Sequence, residues 1–342
     1  MTSVFGDIER LRRLPKAELH LHIEGTFEPE LIFKLAKKNG VSLNFPSVEA
    51  LRAAYQFEDL QSFLNIYYAG MSVLKKEEDF IELAEAYFAR AQKDGVVHAE
   101  LFFDPQAHTS RGLEIGAVID GLSRAVAKSQ EKYGLSSSLI MCFLRDMSAE
   151  SAMQTLEAAL PYKDKLVAVG LDSAEVGNPP AKFVDVFARA REEGLLTVAH
   201  AGEEGPPAYV HDSLDLLKVS RVDHGVRSLE DEKLVERLRK EEIPLTVCPL
   251  SNVKLKVFKD LKEHNLKKML ALGLKATINS DDPAYFGGYV LDNYHQTAQA
   301  LGLTDEEVVM LAENSINASF MSVEEKAKHL ERIRLELATA IK

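Results

Sequence analysis

Residues 166–200 read LVAVGLDSAEVGNPPAKFVDVFARAREEGLLTVAH, and they carry the clearest evidence for the fold class. The stretch opens with the apolar run 166–171, continues through turn residues, and takes on a helical period at 181–193. A second apolar run follows at 195–200. Because a strand, a helix and a second strand in this order typically form a parallel βαβ unit, the stretch predicts an α/β protein with a parallel sheet.

The same alternation of short apolar runs and longer helical segments recurs along the chain. Eight such units favour a (β/α)8 TIM barrel. A doubly wound open sheet is the alternative, but the chain has no G-x-G-x-x-G turn to support it. The predicted strands are residues 17–24, 96–103, 138–144, 166–171, 195–200, 221–226, 243–247 and 275–279.

The chain of 342 residues is predicted to be one barrel domain, 1–342, since α/β barrels often reach this length. The segment between the first two predicted strands, about residues 28–95, is too long for a single crossover helix. It is rich in helix formers and aromatic residues. We therefore expect extra helices inserted after strand one, forming a lid or wall over the barrel mouth.

The composition argues against several classes of function. The net charge of −12 lacks the basic footprint that binds phosphate backbones, so nucleic acid is not an expected partner. No apolar stretch approaches the roughly 18 residues of a membrane helix, and the N-terminus has no apolar signal region. The two cysteines, Cys142 and Cys248, lie in apolar runs typical of buried, reduced thiols. The sequence predicts a cytoplasmic enzyme acting on a small molecule, and it leaves a homo-oligomer open.

Unusual polar residues fall at the C-terminal ends of the predicted strands, where a TIM barrel places its active site. A lone H-x-H is weak evidence for a metal. Four imidazoles and a carboxylate at one rim, however, would be costly to bury unless they bound something. The set comprises His20 and His22 on strand one, His200 after strand five, His224 after strand six, and Asp281 and Asp282 after strand eight.

Neutral imidazoles and a carboxylate suit a borderline divalent ion, most often Zn²⁺, with a water at an open position. Glu203 lies three residues past His200, where a carboxylate can face the substrate rather than the ion. His224 is then a spare imidazole that is able to orient or deprotonate the attacking water. The residues alone predict metal-dependent hydrolysis with Glu203 as the proton-transfer group, its pKa raised by burial.

Five motifs, in this order, resemble the adenosine/adenine deaminase family of the amidohydrolase barrels. The resemblance spans residues 14 to about 285, most of the chain. The motifs are P-K-A-E-L-H-L-H-I-E-G (15–25), H-A-G-E (200–203), R-V-D-H-G (221–225), C-P-L-S-N (248–252) and N-S-D-D-P (279–283).

The resemblance implies a role for each of these polar residues. It implies that one Zn²⁺ is bound by His20, His22, His200 and Asp281. It implies further that Glu203 is the proton donor, that His224 assists the attacking water, and that Asp282 binds the purine at N7. The choice of Asp281 over Asp282 as the metal ligand rests mainly on the resemblance.

Two departures from the nucleoside-specific members indicate that the substrate is adenine. Those members typically read H-x-H-L-D-G, with the aspartate facing the ribose. Glu24 stands here instead, and its extra methylene would reach into that space. They also carry D-x-A-G-D-E after strand four, where this chain has Glu175 at the glycine position. A carboxylate there would accept a hydrogen bond from the N9–H of a free base, a proton that nucleosides lack. The sequence therefore predicts hydrolytic deamination of adenine to hypoxanthine and ammonia, in purine salvage.

Adenosine and N6-substituted adenines are the alternative substrates. Barrel hydrolases that use two metals often carry a lysine carbamate on strand four, but that strand has no lysine at its C-terminal end. Cytidine-type zinc deaminases need a C-x-x-C motif, which the chain lacks. A barrel retained only for binding would be expected to lack a ligand or Glu203, and none of these residues is missing.

Overall fold

Eight parallel β-strands form the centre of the molecule, as seen in a computed structural model that describes residues 4–57 and 60–340. The strands are β1 (Lys16–His22), β2 (Val96–Phe103), β3 (Ser136–Leu144), β4 (Ala168–Asp172), β5 (Leu196–Ala201), β6 (Arg221–His224), β7 (Pro244–Val247) and β8 (Lys275–Ile278). They pair in sequence order. A parallel bridge between Leu21 and Asp281 joins β1 to the segment after β8. The predicted (β/α)8 barrel is confirmed.

Helices follow every strand along the chain. The α-helices are α1 (Ile8–Arg13), α2 (Pro29–Asn39), α3 (Val48–Ala53), α4 (Leu60–Met71), α5 (Glu77–Lys93), α6 (Pro105–Thr109), α7 (Ile115–Tyr133), α8 (Ala149–Ala159), α9 (Val184–Glu192), α10 (Pro207–Asp212), α11 (Glu232–Lys240), α12 (Pro249–Lys254), α13 (Leu266–Ala271), α14 (Pro283–Phe286), α15 (Val290–Leu301), α16 (Asp305–Ala318) and α17 (Val323–Ala340). Short 3₁₀ helices lie at Val4–Gly6, Glu24–Thr26, Leu160–Lys165, Pro180–Phe183, Val226–Glu230 and Leu261–Glu263, and Ser213–Leu217 is a π-helical turn.

The barrel strands are mostly buried along their whole length. This explains why they appear in the sequence as continuous apolar runs rather than as alternating patterns. Two predicted helices begin later than expected. The segment predicted as 181–193 starts with the 3₁₀ turn Pro180–Phe183, and α9 begins only at Val184. Similarly, residues 229–240 have the period of a helix in the sequence, but α11 begins only at Glu232, because the Asp231 side chain accepts hydrogen bonds from Lys233 N and Leu234 N and so caps the helix there.

The segment between β1 and β2 contains helices α2 to α5. Of the stretch 28–95, residues 58 and 59 lie outside the described residues. Side chains of α4 contribute to the wall of the cavity described below. The assignment of the chain to one domain, and a lid role for this segment, stay predictions. Among the described helices, none combines the length and the apolar character needed to cross a membrane.

Candidate metal centre and active site

Three histidines direct their Nε2 atoms at one point near the C-terminal ends of β1 and β5. His22 Nε2 lies 3.2 Å from His200 Nε2. Asp281 Oδ1 lies 3.4 Å from His20 Nε2 and 3.5 Å from His22 Nε2. All four side chains are buried. The four predicted ligands thus lie near one another, but the ligand atoms that all come within 4.8 Å of each other belong to His20, His200, His224 and Asp281, whereas His22 groups with Asp281 and Asp282.

The opposite ring nitrogen of each of these histidines, Nδ1, faces an oxygen acceptor. An acceptor at hydrogen-bond distance from Nδ1, as for His20, holds the ring proton there and leaves the Nε2 lone pair directed at the centre, which is how metal-binding histidines are usually oriented. The carboxylates that face His22 and His200 lie beyond that distance and make ion-pair contacts only. In addition, His20 Nε2 is buried without a hydrogen-bond partner among the described residues. The donor set thus fits a divalent metal ion. The pairs are His20 with Thr246 Oγ1 at 3.0 Å, His22 with Asp172 Oδ2 at 3.5 Å, and His200 with Asp223 Oδ2 at 3.6 Å.

Burial keeps the imidazoles of His22, His200 and His224 uncharged. It lowers the pKa of His22 to about 4, and it holds the pKa values of His200 and His224 well below their usual range, with the neighbouring imidazoles adding to the effect on the last two. A neutral imidazole has the free lone pair that metal coordination requires.

A fourth imidazole, His224, lies between the metal cluster and Glu203. Its Nε2 atom is 3.8 Å from Asp281 Oδ2 and 3.4 Å from Glu203 Oε2. His224 is also close enough to His20, His200 and Asp281 to share a metal with them. The sequence predicts that His224 acts on the attacking water, and this role stays a prediction.

The backbone at two of these positions is unusual. His224 and Asp281 both have φ of 63°, in the left-handed region that non-glycine residues rarely adopt. Such conformations cost about 1–3 kcal/mol each and concentrate at functional sites. At both positions they turn the chain at the end of a strand, where it leaves the barrel.

Glu203 is buried beside this cluster. Its Oε1 atom accepts a hydrogen bond from Asn252 Nδ2 at 3.1 Å, and the Asn252 amide is in turn held by His264 at 3.2 Å. Burial, followed by the nearby charge of Asp281, raises the pKa of Glu203 well above its usual range. The predicted direction of this pKa shift is confirmed. The motif C-P-L-S-N thus supplies, through Asn252, the residue that orients Glu203.

Asp282 follows the cluster and packs against the backbone of Gly25. A Cβ atom on Gly25 would overlap the Asp282 carboxyl, so the glycine that ends the first motif makes room for this side chain. Asp282 Oδ1 has no hydrogen-bond partner among the described residues.

These groups line a cavity of about 440 Å³ at the C-terminal end of the barrel. The histidines, Asp281 and Glu203 form one side of the cavity. Aromatic residues of α4 and further carboxyl groups line much of the remainder. The lining residues are His22, Phe63, Leu64, Tyr67, Tyr68, Asp104, Leu144, Asp172, Ser173, His200, Glu203, His224, Leu255, Asp281, Asp282 and Phe286.

The predicted substrate contacts of Glu24 and Glu175 need correction, because neither residue lines the cavity. Glu24 is fully buried, and its Oε1 atom bonds His108 Nε2 at 2.8 Å and Asp104 N at 3.2 Å. Glu175 accepts four backbone N–H groups of residues 202–205, at 2.6 to 3.1 Å. Protein groups therefore hold both oxygens of Glu175 and the Oε1 atom of Glu24, whose Oε2 atom is buried without a hydrogen-bond partner among the described residues.

The contacts of Glu175 give it a different task, which is to fix the loop that carries Glu203. Arg145 adds to this by donating to the His200 carbonyl oxygen at 2.6 Å. We expect Glu175→Gln to lower kcat by about ten- to a hundredfold, because an amide cannot accept all four N–H groups and a small displacement of an acid is costly. KM should stay near the wild-type value, since Glu175 lies outside the cavity.

Steady-state kinetics and metal content of purified Glu175→Gln test this prediction. Glu192→Gln is the matched control, because Glu192 is an exposed carboxylate on the neighbouring α9. A wild-type kcat in Glu175→Gln, or an equal decrease of kcat in both variants, would show that the hydrogen bonds to Glu175 are not needed to position the loop.

Sequence reasoning missed several residues of the site. Asp172 and Asp223 face metal-cluster histidines at ion-pair distance, and Asp104 lines the cavity. Each lies at or just beyond the end of a barrel strand. Their positions at strand ends, which identified the histidines, could have identified these carboxyls as well.

A barrel with buried imidazoles and a carboxylate converging at its strand ends, and with a buried acid beside them, defines the class of metal-dependent amidohydrolases. Residues 15–335 match the adenosine deaminase family. The chain belongs to that family, as its motifs predict.

Several known proteins are similar to this chain over nearly its whole length. The adenine deaminase of Cupriavidus taiwanensis is 61% identical over 325 residues, which cover 95% of this chain and 93% of the relative. The adenine deaminase of Acinetobacter baylyi is 58% identical and is covered to 98%. The crystal structure of an adenine deaminase from Arthrobacter aurescens superposes with a TM-score of 0.94 at 52% identity, covering 95% of this chain and 99% of that one.

Proposed function

We propose that this chain hydrolyses adenine to hypoxanthine and ammonia, with one divalent metal ion, Zn²⁺, in the cluster. The observation that carries the proposal is the position of Glu203 and His224. Their carboxyl and imidazole groups lie 3.4 Å apart at the edge of the three-histidine cluster, inside one cavity. The adenine deaminases that are similar to this chain support the choice of reaction, which belongs to the hydrolases of C–N bonds.

In this proposal His20, His22, His200 and Asp281 hold the metal ion. Three imidazoles and one carboxylate favour zinc over magnesium or calcium, which prefer oxygen ligands. A zinc ion bound in this way makes water acidic enough to act as a nucleophile at neutral pH.

The side chains around the ion then divide the proton transfers between them. Protonated Glu203 donates its proton to ring N1, which makes C6 more electrophilic. His224 orients the attacking water and accepts a proton from it as the C6–O bond forms. The C6–N bond then breaks, and the 6-amino group leaves as ammonia with the proton that His224 returns. Asp282 forms a hydrogen bond at N7 and fixes the ring in its plane. The aromatic wall from α4 limits the access of other water molecules to the cavity.

We expect purified protein to release ammonia from adenine far faster than from adenosine. The adenine preference is expected to exceed about a hundredfold in kcat/KM, because a site built around a base N–H leaves a buried group unpaired when a nucleoside binds. The test is ammonia release from adenine, adenosine and N6-substituted adenines, with metal content measured on the same sample. A preference for adenosine, or active protein without metal, would contradict the proposal.

The place of the reaction in purine salvage and the cytoplasmic location are part of the same proposal. A free purine base as the product supports a place in salvage, and the two cysteines, both buried and free, support a reducing compartment.

A further inference from the structure

The cavity contains a polar group that the proposed reaction does not use. Besides the metal-cluster and proton-transfer residues, its lining includes the carboxyls of Asp104 and Asp172. The Oδ2 atom of Asp172 faces His22 Nδ1 at 3.5 Å, which is an ion-pair distance. Asp104 is 2% exposed and lies beside the Asp172 carboxyl, and its Oδ1 atom accepts no hydrogen bond from an N–H or hydroxyl group of the described residues. A buried carboxyl oxygen without a donor is costly, and a ligand that supplies an N–H would satisfy it.

The local sequence makes this orientation of Asp104 unexpected. Asp104 directly precedes Pro105, the first residue of α6, and an aspartate in that place commonly caps the helix. Its side chain makes no capping hydrogen bond. Asp282 stands in the same relation to Pro283 and α14, and it too makes no side-chain cap. Both Asp-Pro aspartates therefore direct their carboxyls into the cavity rather than to a helix N-terminus.

The two aspartates lie on different elements around one cavity, Asp104 after β2 and Asp282 after β8. This argument rests on the proposed function, in which Asp282 binds N7. A purine whose N7 accepts a hydrogen bond carries its imidazole proton on N9. In a buried cavity that N9–H needs an acceptor. The predicted acceptor, Glu175, is occupied by four backbone amides.

We propose that Asp104 accepts the hydrogen bond from N9–H and thereby restricts the enzyme to free purine bases. A nucleoside cannot bind productively next to Asp104, for two reasons. It has no N9 proton, so the Asp104 carboxyl stays unpaired, and its sugar would have to occupy the space next to that carboxyl. Asp104 is thus a specificity-determining residue, and it takes no part in proton transfer to N1.

The test compares adenine with 9-methyladenine, which keeps the reacting edge and carries a methyl group in place of the N9 proton. We expect Asp104→Ala to lower the ratio of kcat/KM for adenine over 9-methyladenine at least a hundredfold, mainly through a higher KM for adenine. Asp104→Asn keeps one acceptor oxygen and should retain an intermediate ratio. Glu150→Gln, which neutralises an exposed carboxylate in the first turn of α8, should leave the ratio unchanged.

The ratio separates this inference from both a folding defect and a failure of the proposed function. A variant that is merely less stable loses both substrates equally, so an unchanged ratio in Asp104→Ala and Asp104→Asn would overturn the inference. If Asp104→Ala cannot be purified, Asp104→Asn alone decides the question by the same criterion. Wild-type protein that fails to deaminate adenine would refute the proposed function, and the assignment of Asp104 with it.

Discussion

Glu203→Gln is expected to reduce turnover of adenine by at least about a thousandfold while the protein keeps its metal ion, since a positioned acid contributes roughly 10²–10⁴. Glutamine preserves the shape of the side chain and can still accept the hydrogen bond from Asn252. It cannot donate a proton to N1. Because Glu203 is buried and its pKa is raised well above the usual range, the wild-type group carries the required proton near neutral pH.

The measurement is kcat for adenine together with the metal content of the same preparation. Glu204→Gln is the matched control, since Glu204 is the adjacent carboxyl and does not line the cavity. The control should retain most of the wild-type rate. Turnover of Glu203→Gln within tenfold of the wild type would remove Glu203 from the role of proton donor. Loss of the metal in Glu203→Gln would instead mean that this residue helps to hold the ion.

The fold and the metal cluster could be predicted because both leave periodic or positional patterns in the sequence. Strand period places His20 and His22 on one side of β1, and the strand ends bring His200 and Asp281 to the same rim. Because the C-terminal ends of all eight parallel strands lie at one face of the barrel, residues at these ends come close together. No knowledge of individual contacts is needed for this step.

Glu175 could not be predicted in the same way, because its partners are backbone amides. The N–H groups of residues 202–205 are present whatever the side chains are, so nothing in the sequence marks them as partners. The resemblance to the family implies that position 175 lies near the purine, but it does not say which way the side chain turns. Four hydrogen bonds to a buried carboxylate decide that direction.

The role of Asp104 could not be predicted from the sequence for a different reason. An aspartate before a proline is typical of a helix cap, so the sequence offers an ordinary structural role for it. Only the absence of a capping bond and the position of its carboxyl in the cavity reveal another use. The left-handed backbone conformation of His224 and Asp281 could not be predicted from the sequence either, since neither residue type requires that conformation. Substrate selection therefore depends on side-chain directions, which the sequence does not specify.

The buried ion pair between Glu100 and Arg221 leads to the largest expected effect on stability. Arg221 is the first residue of β6, and its Nη1 atom lies 2.7 Å from Glu100 Oε2 on β2, with both side chains fully buried. Arg221 also donates to the carbonyl oxygens of Leu19 and Ala318, both at 3.2 Å. We expect Glu100→Gln to lower the free energy of unfolding by about 3–5 kcal/mol, because it removes the nearer of the two carboxylates that face the buried Arg221 charge and leaves only Asp223 Oδ1, at 3.8 Å.

The same pair predicts a dependence of stability on pH. Burial opposes ionisation of Glu100, but the charge of Arg221 and a hydrogen bond from His98 outweigh it and lower the pKa to about 2, from an ordinary value of 4.5. A carboxyl whose pKa is lower in the folded state stabilises the protein above its unfolded pKa, and this contribution is lost as the pH falls through the folded pKa. The wild type should therefore lose stability between about pH 4.5 and pH 2 through this group, and Glu100→Gln should lack that part of the loss.

Denaturant unfolding at pH 7 and at steps down to pH 3 measures both effects. Glu30→Gln is the matched control, since Glu30 pairs with Arg52 at 2.7 Å on the surface, where water screens the interaction. It should unfold at nearly the wild-type midpoint. Replacing both partners by apolar residues, as in Glu100→Leu with Arg221→Met, should give a protein more stable than Glu100→Gln, because no unpaired charge remains. Equal midpoints for Glu100→Gln and Glu30→Gln would mean that water or a neighbouring group neutralises Arg221, and that this end of the barrel does not depend on the pair.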